Sequence, residues 1–282
     1  MHHLAWCGIS IFSSILLTFI LRFILSKFTQ SQHILTLYDE FAGNLVSAVT
    51  VMELSILTYA KHNPIFCIVS LYIFIFIKVL YFSSLELYAS PLSFVDLYYA
   101  KNRKHPFTVF ECFAIIVTQS LGTLIGIGFA RQLWVHEDAV HINASEEACL
   151  STLSEAHLWY ECFAAEMFGT FICAFVDFNM KVSLKPLTRP LMILFVILGL
   201  GHISGTWMNP MLATVFTFRC SGHTSDLLHI VVYWIAPFVG LLLAWELQFV
   251  MTSLFSSFKG RKTEGEVSTK KVLPQKKKAK KD

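Results

Sequence analysis

Nothing restricts this chain more than the arrangement of its apolar stretches. Seven run roughly over 4–26, 36–60, 64–82, 107–130, 158–178, 188–205 and 227–256, most of them close to the ~20 residues a helix needs to cross a bilayer. Between them lie two shorter apolar pieces, Leu92 to Ala100 and Leu212 to Phe218, each following a proline box. These pieces are too short to cross, so they are predicted to be re-entrant half-helices. Backbone can stop halfway through hydrocarbon only where protein or a water-filled cavity satisfies its polar groups. Two such breaks predict a central pore.

Composition agrees with a bilayer as solvent. The chain is 55% hydrophobic and 15% charged, with 26 Phe, more apolar surface than a water-soluble globule could cover. Its net charge of +3 hides an uneven distribution, because Lys270, Lys271, Lys276, Lys277, Lys278, Lys280 and Lys281 crowd the end of the chain. A basic run after a last spanning segment marks the cytosolic side rather than a nucleic-acid arm, and no nucleic-acid partner is expected. Lys101, Arg103, Lys104, Lys181, Lys185 and Arg189 are expected on that same side.

The 131–157 loop then faces the lumen or exterior and carries a sequon for N-glycosylation at Asn143-Ala144-Ser145. The first apolar stretch lacks a basic n-region and a small-x-small cleavage site. It reads as an uncleaved extra helix with Arg22 and Lys27 snorkelling at the cytosolic boundary; an interfacial helix is the alternative. Six of the seven cysteines lie in or beside apolar segments and Cys149 lies in the long loop. Their spacing gives neither a disulfide framework nor a zinc motif, so no metal and no cofactor are expected. No acid pair, Ser-His arrangement or His-rich cluster falls at membrane depth with helical spacing. His202 is the nearest candidate, and the chain is not expected to be an enzyme.

An internal duplication is visible. Glu40-Phe41-Ala42-Gly43-Asn44 and Glu166-Met167-Phe168-Gly169-Thr170 each open a half, and each is followed by a polar-Pro-apolar triplet, Ser90-Pro91-Leu92 and Asn209-Pro210-Met211. An odd number of crossings separates the copies, so they are expected to be inverted relative to each other, with the binding site at the midplane.

Together with Gln119-x-x-Gly122-x-x-x-Gly126, Gly201-His202-Ile203-Ser204-Gly205 and Tyr233-Trp234-x-Ala236-Pro237-x-x-Gly240, these residues resemble the aquaporin (major intrinsic protein) family over roughly 36–256. The resemblance implies an all-α membrane fold of six transmembrane helices plus two re-entrant half-helices, here with one extra N-terminal helix. The corresponding division is an N-terminal helix (1–28), a channel domain (29–256; repeats 36–130 and 158–256) and a basic cytosolic tail (257–282). The altered first box, and Cys220 nine residues beyond Met211, look most like the divergent subgroup called superaquaporins.

In such boxes Asn or Ser caps the half-helix while Pro fills the first helical position. The resemblance implies that Asn209 also offers its NH2 to the pore, and that Glu40 and Glu166 brace the re-entrant loops by accepting from their backbone N–H groups. Ser90 keeps a cap and one hydroxyl donor. Two departures weaken inherited selectivity. Leu212 stands where water-selective relatives carry Arg, and Glu86 precedes the first box where Gly205 precedes the second. Lys78 and Glu86 read as boundary residues with no transport role.

The expected activity is a passive channel for water or small neutral solutes such as glycerol or hydrogen peroxide, working as a homotetramer; a non-conducting scaffold of the same fold is the other reading. Lys278 and Lys280 fit a dilysine signal for return to the endoplasmic reticulum, and a polybasic patch for anionic lipid is the alternative.

Overall fold

The structure is a computed structural model that describes residues 2–59, 64–85, 87–100, 107–136, 139–146, 153, 157–222 and 225–270. Every regular element among the described residues is helical. In chain order these are α1 (His2–Phe28), α2 (Gln32–Tyr59), α3 (Pro64–Leu85), α4 (Leu92–Ala100), α5 (Val109–Trp134), α6 (Ala139–Glu146), α7 (Trp159–Asn179), α8 (Lys185–Ser204), α9 (Pro210–Thr217), α10 (Asp226–Ile230) and α11 (Ala236–Lys270). A five-residue π-helical segment, Val231–Ile235, joins α10 to α11.

Five helical segments are long and apolar enough to cross a membrane by length and composition: Leu4–Phe28, Pro64–Leu85, Val109–Trp134, Val182–Ser204 and Asp226–Leu254. Helices α2 and α7 have 28 and 21 residues, or roughly 42 and 32 Å at 1.5 Å per residue, and also reach across. They carry Asp39, Glu40, Glu53, Glu161, Glu166 and Asp177. The two Glu-bearing helices are thus the ones the fold must sheathe, since a carboxylate facing lipid is costly. Residues 42–50 of α2 are buried without interruption, under α1, α3 and α5.

Two copies of one unit make up the bundle: α2, α3, α4 and α5 in the first, and α7, α8, α9 and α10 to α11 in the second. Within each copy the first and last helices pack most closely, α2 on α5 and α7 on α11. Glycine permits this approach. A Cβ on Gly122 of α5 would fall on the Phe41 carbonyl oxygen, and one on Gly240 of α11 would fall on the Met167 carbonyl oxygen. The short helices cross over: α4 packs on α11, with Trp245 Nε1 donating to Asp96 at 2.9 Å, and α9 packs on α5.

Helix α1 runs antiparallel along α2: Cys7 Sγ donates to the Glu53 carbonyl at one end, and Thr18 O accepts from Tyr38 toward the other. Arg22 forms a two-point ion pair with Asp39 at 2.6 and 2.9 Å. Its buried face is Cys7, Ser10, Ile11, Ser14 and Thr18, at helical spacing, while Phe12, Leu16, Phe19, Ile20 and Phe23 face outward. A largely buried carboxylate on α2 thus gives Arg22 a partner within the protein.

Two further features are set by the structure. The 131–157 segment contains a helix, α6, with Asn143 exposed on it. Helix α11 continues past residue 256 to Lys270, there being no proline before Pro274 to stop it.

Candidate functional site

The second box is built as its sequence dictates. Asn209 caps α9 in extended conformation, and its Oδ1 accepts from Met211 N at 3.0 Å and Leu212 N at 3.4 Å. Pro210 occupies the first helical position, where no N–H is needed. In the first box Ser90 Oγ accepts from Leu92 N at 3.3 Å, and Ser93 Oγ donates to the Tyr88 carbonyl.

The residue before each box is left-handed without being glycine: Ala89 at φ 61° and Met208 at φ 49°. Such a conformation costs about 1–2 kcal/mol, and something must hold it. Two buried carboxylates do so in matching fashion. Glu40 accepts from Tyr88 N at 2.6 Å and Ala89 N at 3.1 Å; Glu166 accepts from Trp207 N at 2.9 Å and Met208 N at 2.8 Å. Each has a third donor that its spacing did not reveal, Gln119 Nε2 at 2.8 Å on Glu40 and Ser204 Oγ at 2.8 Å on Glu166. Both glutamates are fully buried or nearly so.

The boxes meet at one bond. Asn209 Nδ2 donates to Ala89 O at 3.0 Å, across 120 residues of sequence. One of the two amide hydrogens is thereby committed to the opposite half, so the Asn donor is only partly available to a permeant.

A cavity of about 330 Å³ opens beside this bond, lined by Asn209, Met208 and Leu212 from the second half-helix region and by Leu92, Ser93 and Asp96 from the first. A second cavity of about 510 Å³ shares Phe82, Cys173, Ala174, Asp177 and Ile193 with it.

The resident fixed charges of these cavities were missed by sequence reasoning. Lys78 lines the first of them, because the helical register of α3 turns it toward the cavity that Asn209 also lines. Asp177, at the wall shared by both, pairs with Arg189 at 2.5 Å and Lys185 at 3.0 Å. The only signal in the sequence was three charges inside apolar segments.

A family model described as Major intrinsic protein matches residues 101–247, more than half of the chain. The chain belongs to the major intrinsic protein family. No curated protein matches it in sequence. The X-ray structure of the aquaglyceroporin from Plasmodium falciparum matches with a TM-score of 0.56 and 16% identity, over 76% of this chain and 95% of that one. At that identity the likeness is one of fold, and it is the aquaporin-like membrane fold that the helices above describe. This major intrinsic protein is accordingly a membrane channel for water or small solutes by family.

Other residues singled out by sequence lie away from the boxes. Cys220 is disulfide-bonded, a bridge on which the cysteine spacing was silent. The other described cysteines, Cys7, Cys67, Cys112, Cys162 and Cys173, form no disulfide. Pairing depends on the approach of two Cα atoms in space, which sequence spacing does not report. Arg219 is exposed and held by Asp226 at 2.6 Å, whose hydrogen bond and charge raise the guanidinium above its ordinary value; it supplies no charge beside Leu212. His202 is exposed. Glu86, Lys278 and Lys280 lie outside the described residues.

Proposed function

We propose that this member of the family is a passive channel for water and small neutral solutes, glycerol and hydrogen peroxide among them, with selectivity unlike that of its water-selective relatives. The observation that carries the reading is the cavity lined from both half-helices and bordered by Asn209. Leu212 is buried there and offers neither donors nor charge, so it can only narrow or dewet the passage. Lys78 shares the lining of that cavity with the carboxylates of Asp96 and Asp177, so both signs of charge are present there and neither favours a single class of ion. The solved aquaglyceroporin of similar fold puts glycerol first among the solutes to test.

The residues proposed to form the pore boxes are Ser90, Pro91, Leu92, Asn209, Pro210 and Met211, with Leu212 at the filter and Glu40 and Glu166 as braces. We place the chain in the divergent superaquaporin subgroup, on the altered first box and Cys220. Assembly as a homotetramer, residence in the endoplasmic reticulum or another intracellular membrane with a cytosolic C-terminus, and glycosylation at Asn143 belong to the same proposal; the plasma membrane is the other location. We propose no catalysis.

A second reading, a non-conducting scaffold of this fold, draws on the Asn209 amide being committed to Ala89 and on Leu212. Stopped-flow swelling of proteoliposomes separates the two. Flux of water, glycerol or peroxide above that of empty vesicles is expected, and equality with empty vesicles for all three would sink the channel. Asn209→Asp retains the cap but sets a carboxylate against the Ala89 carbonyl, and is expected to abolish the flux. Undiminished flux would remove Asn209 from the pore.

A further inference from the structure

Away from the pore, at the end of the bundle where the first turns of α1 meet the last turns of α2, α6 folds back over both. Three side chains from these three elements converge there: Cys7 of α1, Glu53 of α2 and His141 of α6, all fully buried. Their ligand atoms lie within 4.8 Å of one another. Cys7 Sγ is 3.8 Å from His141 Nε2, and His141 Nε2 is 3.3 Å from Glu53 Oε2.

These separations have the size that a common ion would impose. Zinc bonds of about 2.3 Å to sulfur and about 2.0 Å to nitrogen or oxygen, at tetrahedral angles, set ligand atoms about 3.5 Å apart for S···N and about 3.3 Å apart for N···O. The donor set is one that a borderline-soft cation selects, with thiolate, imidazole and carboxylate together. Charge points the same way. A divalent cation would balance the Glu53 carboxylate together with the thiolate that Cys7 forms on binding, so the loaded site brings no net charge into an interior that cannot solvate it.

An outer support is already present. Trp134 Nε1 donates to Glu53 Oε1 at 2.9 Å, which fixes the carboxylate and leaves Oε2 toward His141. Such oriented ligands are characteristic of metal sites.

We infer that Cys7, Glu53 and His141 form a zinc site that staples α1 and α6 to α2. On binding, the Cys7 thiol loses its proton to solvent, the His141 Nε2 lone pair and one Glu53 oxygen complete the protein ligands, and the fourth position falls to water. The site is independent of the channel reading, because none of the three residues lines the cavities beside Asn209.

The experiment uses the full chain, carrying no histidine tag, purified in detergent and dialysed against zinc, with bound metal counted by mass spectrometry. One zinc per chain is expected, with binding about 10–100-fold weaker or worse in Cys7→Ser and His141→Asn. His2 and His3 stand close to Cys7 in sequence, so the His2→Ala/His3→Ala double variant must keep its zinc. Should Cys7→Ser fail to fold, cobalt added to the unsubstituted chain decides: a thiolate-to-cobalt charge-transfer band is expected, since only a cysteine ligand produces it. Zinc at background level, zinc unaffected by Cys7→Ser and His141→Asn, zinc lost with the His2/His3 pair, or a cobalt spectrum without that band would each overturn the assignment.

Discussion

Glu166→Ala removes the acceptor of two backbone amides and one hydroxyl. A buried donor left unpaired costs about 1–3 kcal/mol, so the Trp207 and Met208 amides together cost about 2–6 kcal/mol. Ser204 adds little if its hydroxyl rotates to a carbonyl. The left-handed Met208, at φ 49°, loses its restraint as well, and the Asn209 cap that follows loses its register. At roughly 2–4 °C per kcal/mol for a chain of this size, the melting midpoint should fall by on the order of 4–24 °C, with water entering from the cavity favouring the lower end. Glu166→Gln keeps one acceptor oxygen and turns an NH2 toward the other amide, so it should fall between Ala and the parent. The assay is thermal unfolding of the full chain in detergent, followed by size-exclusion chromatography, with swelling of proteoliposomes as the second readout. Glu40→Ala, which strips Tyr88, Ala89 and Gln119 of their acceptor, should behave alike. A Glu166→Ala protein that melts within about 2 °C of the parent and conducts equally would show that the carboxylate does not hold the box.

Three other outcomes follow from the same geometry. Gly240→Ala should separate α7 from α11 and lower the yield of folded protein sharply, since its Cβ meets the Met167 backbone; Gly199→Ala, with nothing within 4 Å of the added carbon, should be neutral or stabilise by about 0.4–1 kcal/mol, as chromatographic monodispersity and melting will show. Arg22→Leu strands Asp39, whose side chain is only 8% exposed, and should cost about 1.5–3 kcal/mol; Arg22→Leu/Asp39→Leu should recover most of it, because replacing both members of a pair by apolar groups is close to neutral. Lys78→Glu inverts the charge beside Asn209 and is expected to admit a cation leak, read as dissipation of a potassium gradient in vesicles, while Lys78→Met should keep solute flux.

Apolar length and two proline-led interruptions were enough to specify helices, half-helices and an inverted repeat, because lipid leaves backbone no alternative to internal hydrogen bonding. The caps at Ser90 and Asn209 were equally legible, since capping is decided within three or four residues of chain. What lay beyond sequence were encounters between elements. The third donors on Glu40 and Glu166, the Arg22–Asp39 pair and the disulfide at Cys220 each join residues whose spacing along the chain carries no signal. Lys78 was placed by the register of α3 against α2 and α8, which one residue of helix rotation would have changed. Cys7, Glu53 and His141 occupy three helices and share no motif; only the folding of α6 over α1 and α2 brings them within reach of one ion. The sequence by itself determined the solvent, the long apolar helices and the two boxes, through local physics. Tertiary packing decided which charges face the pore, which are neutralised in pairs and which converge.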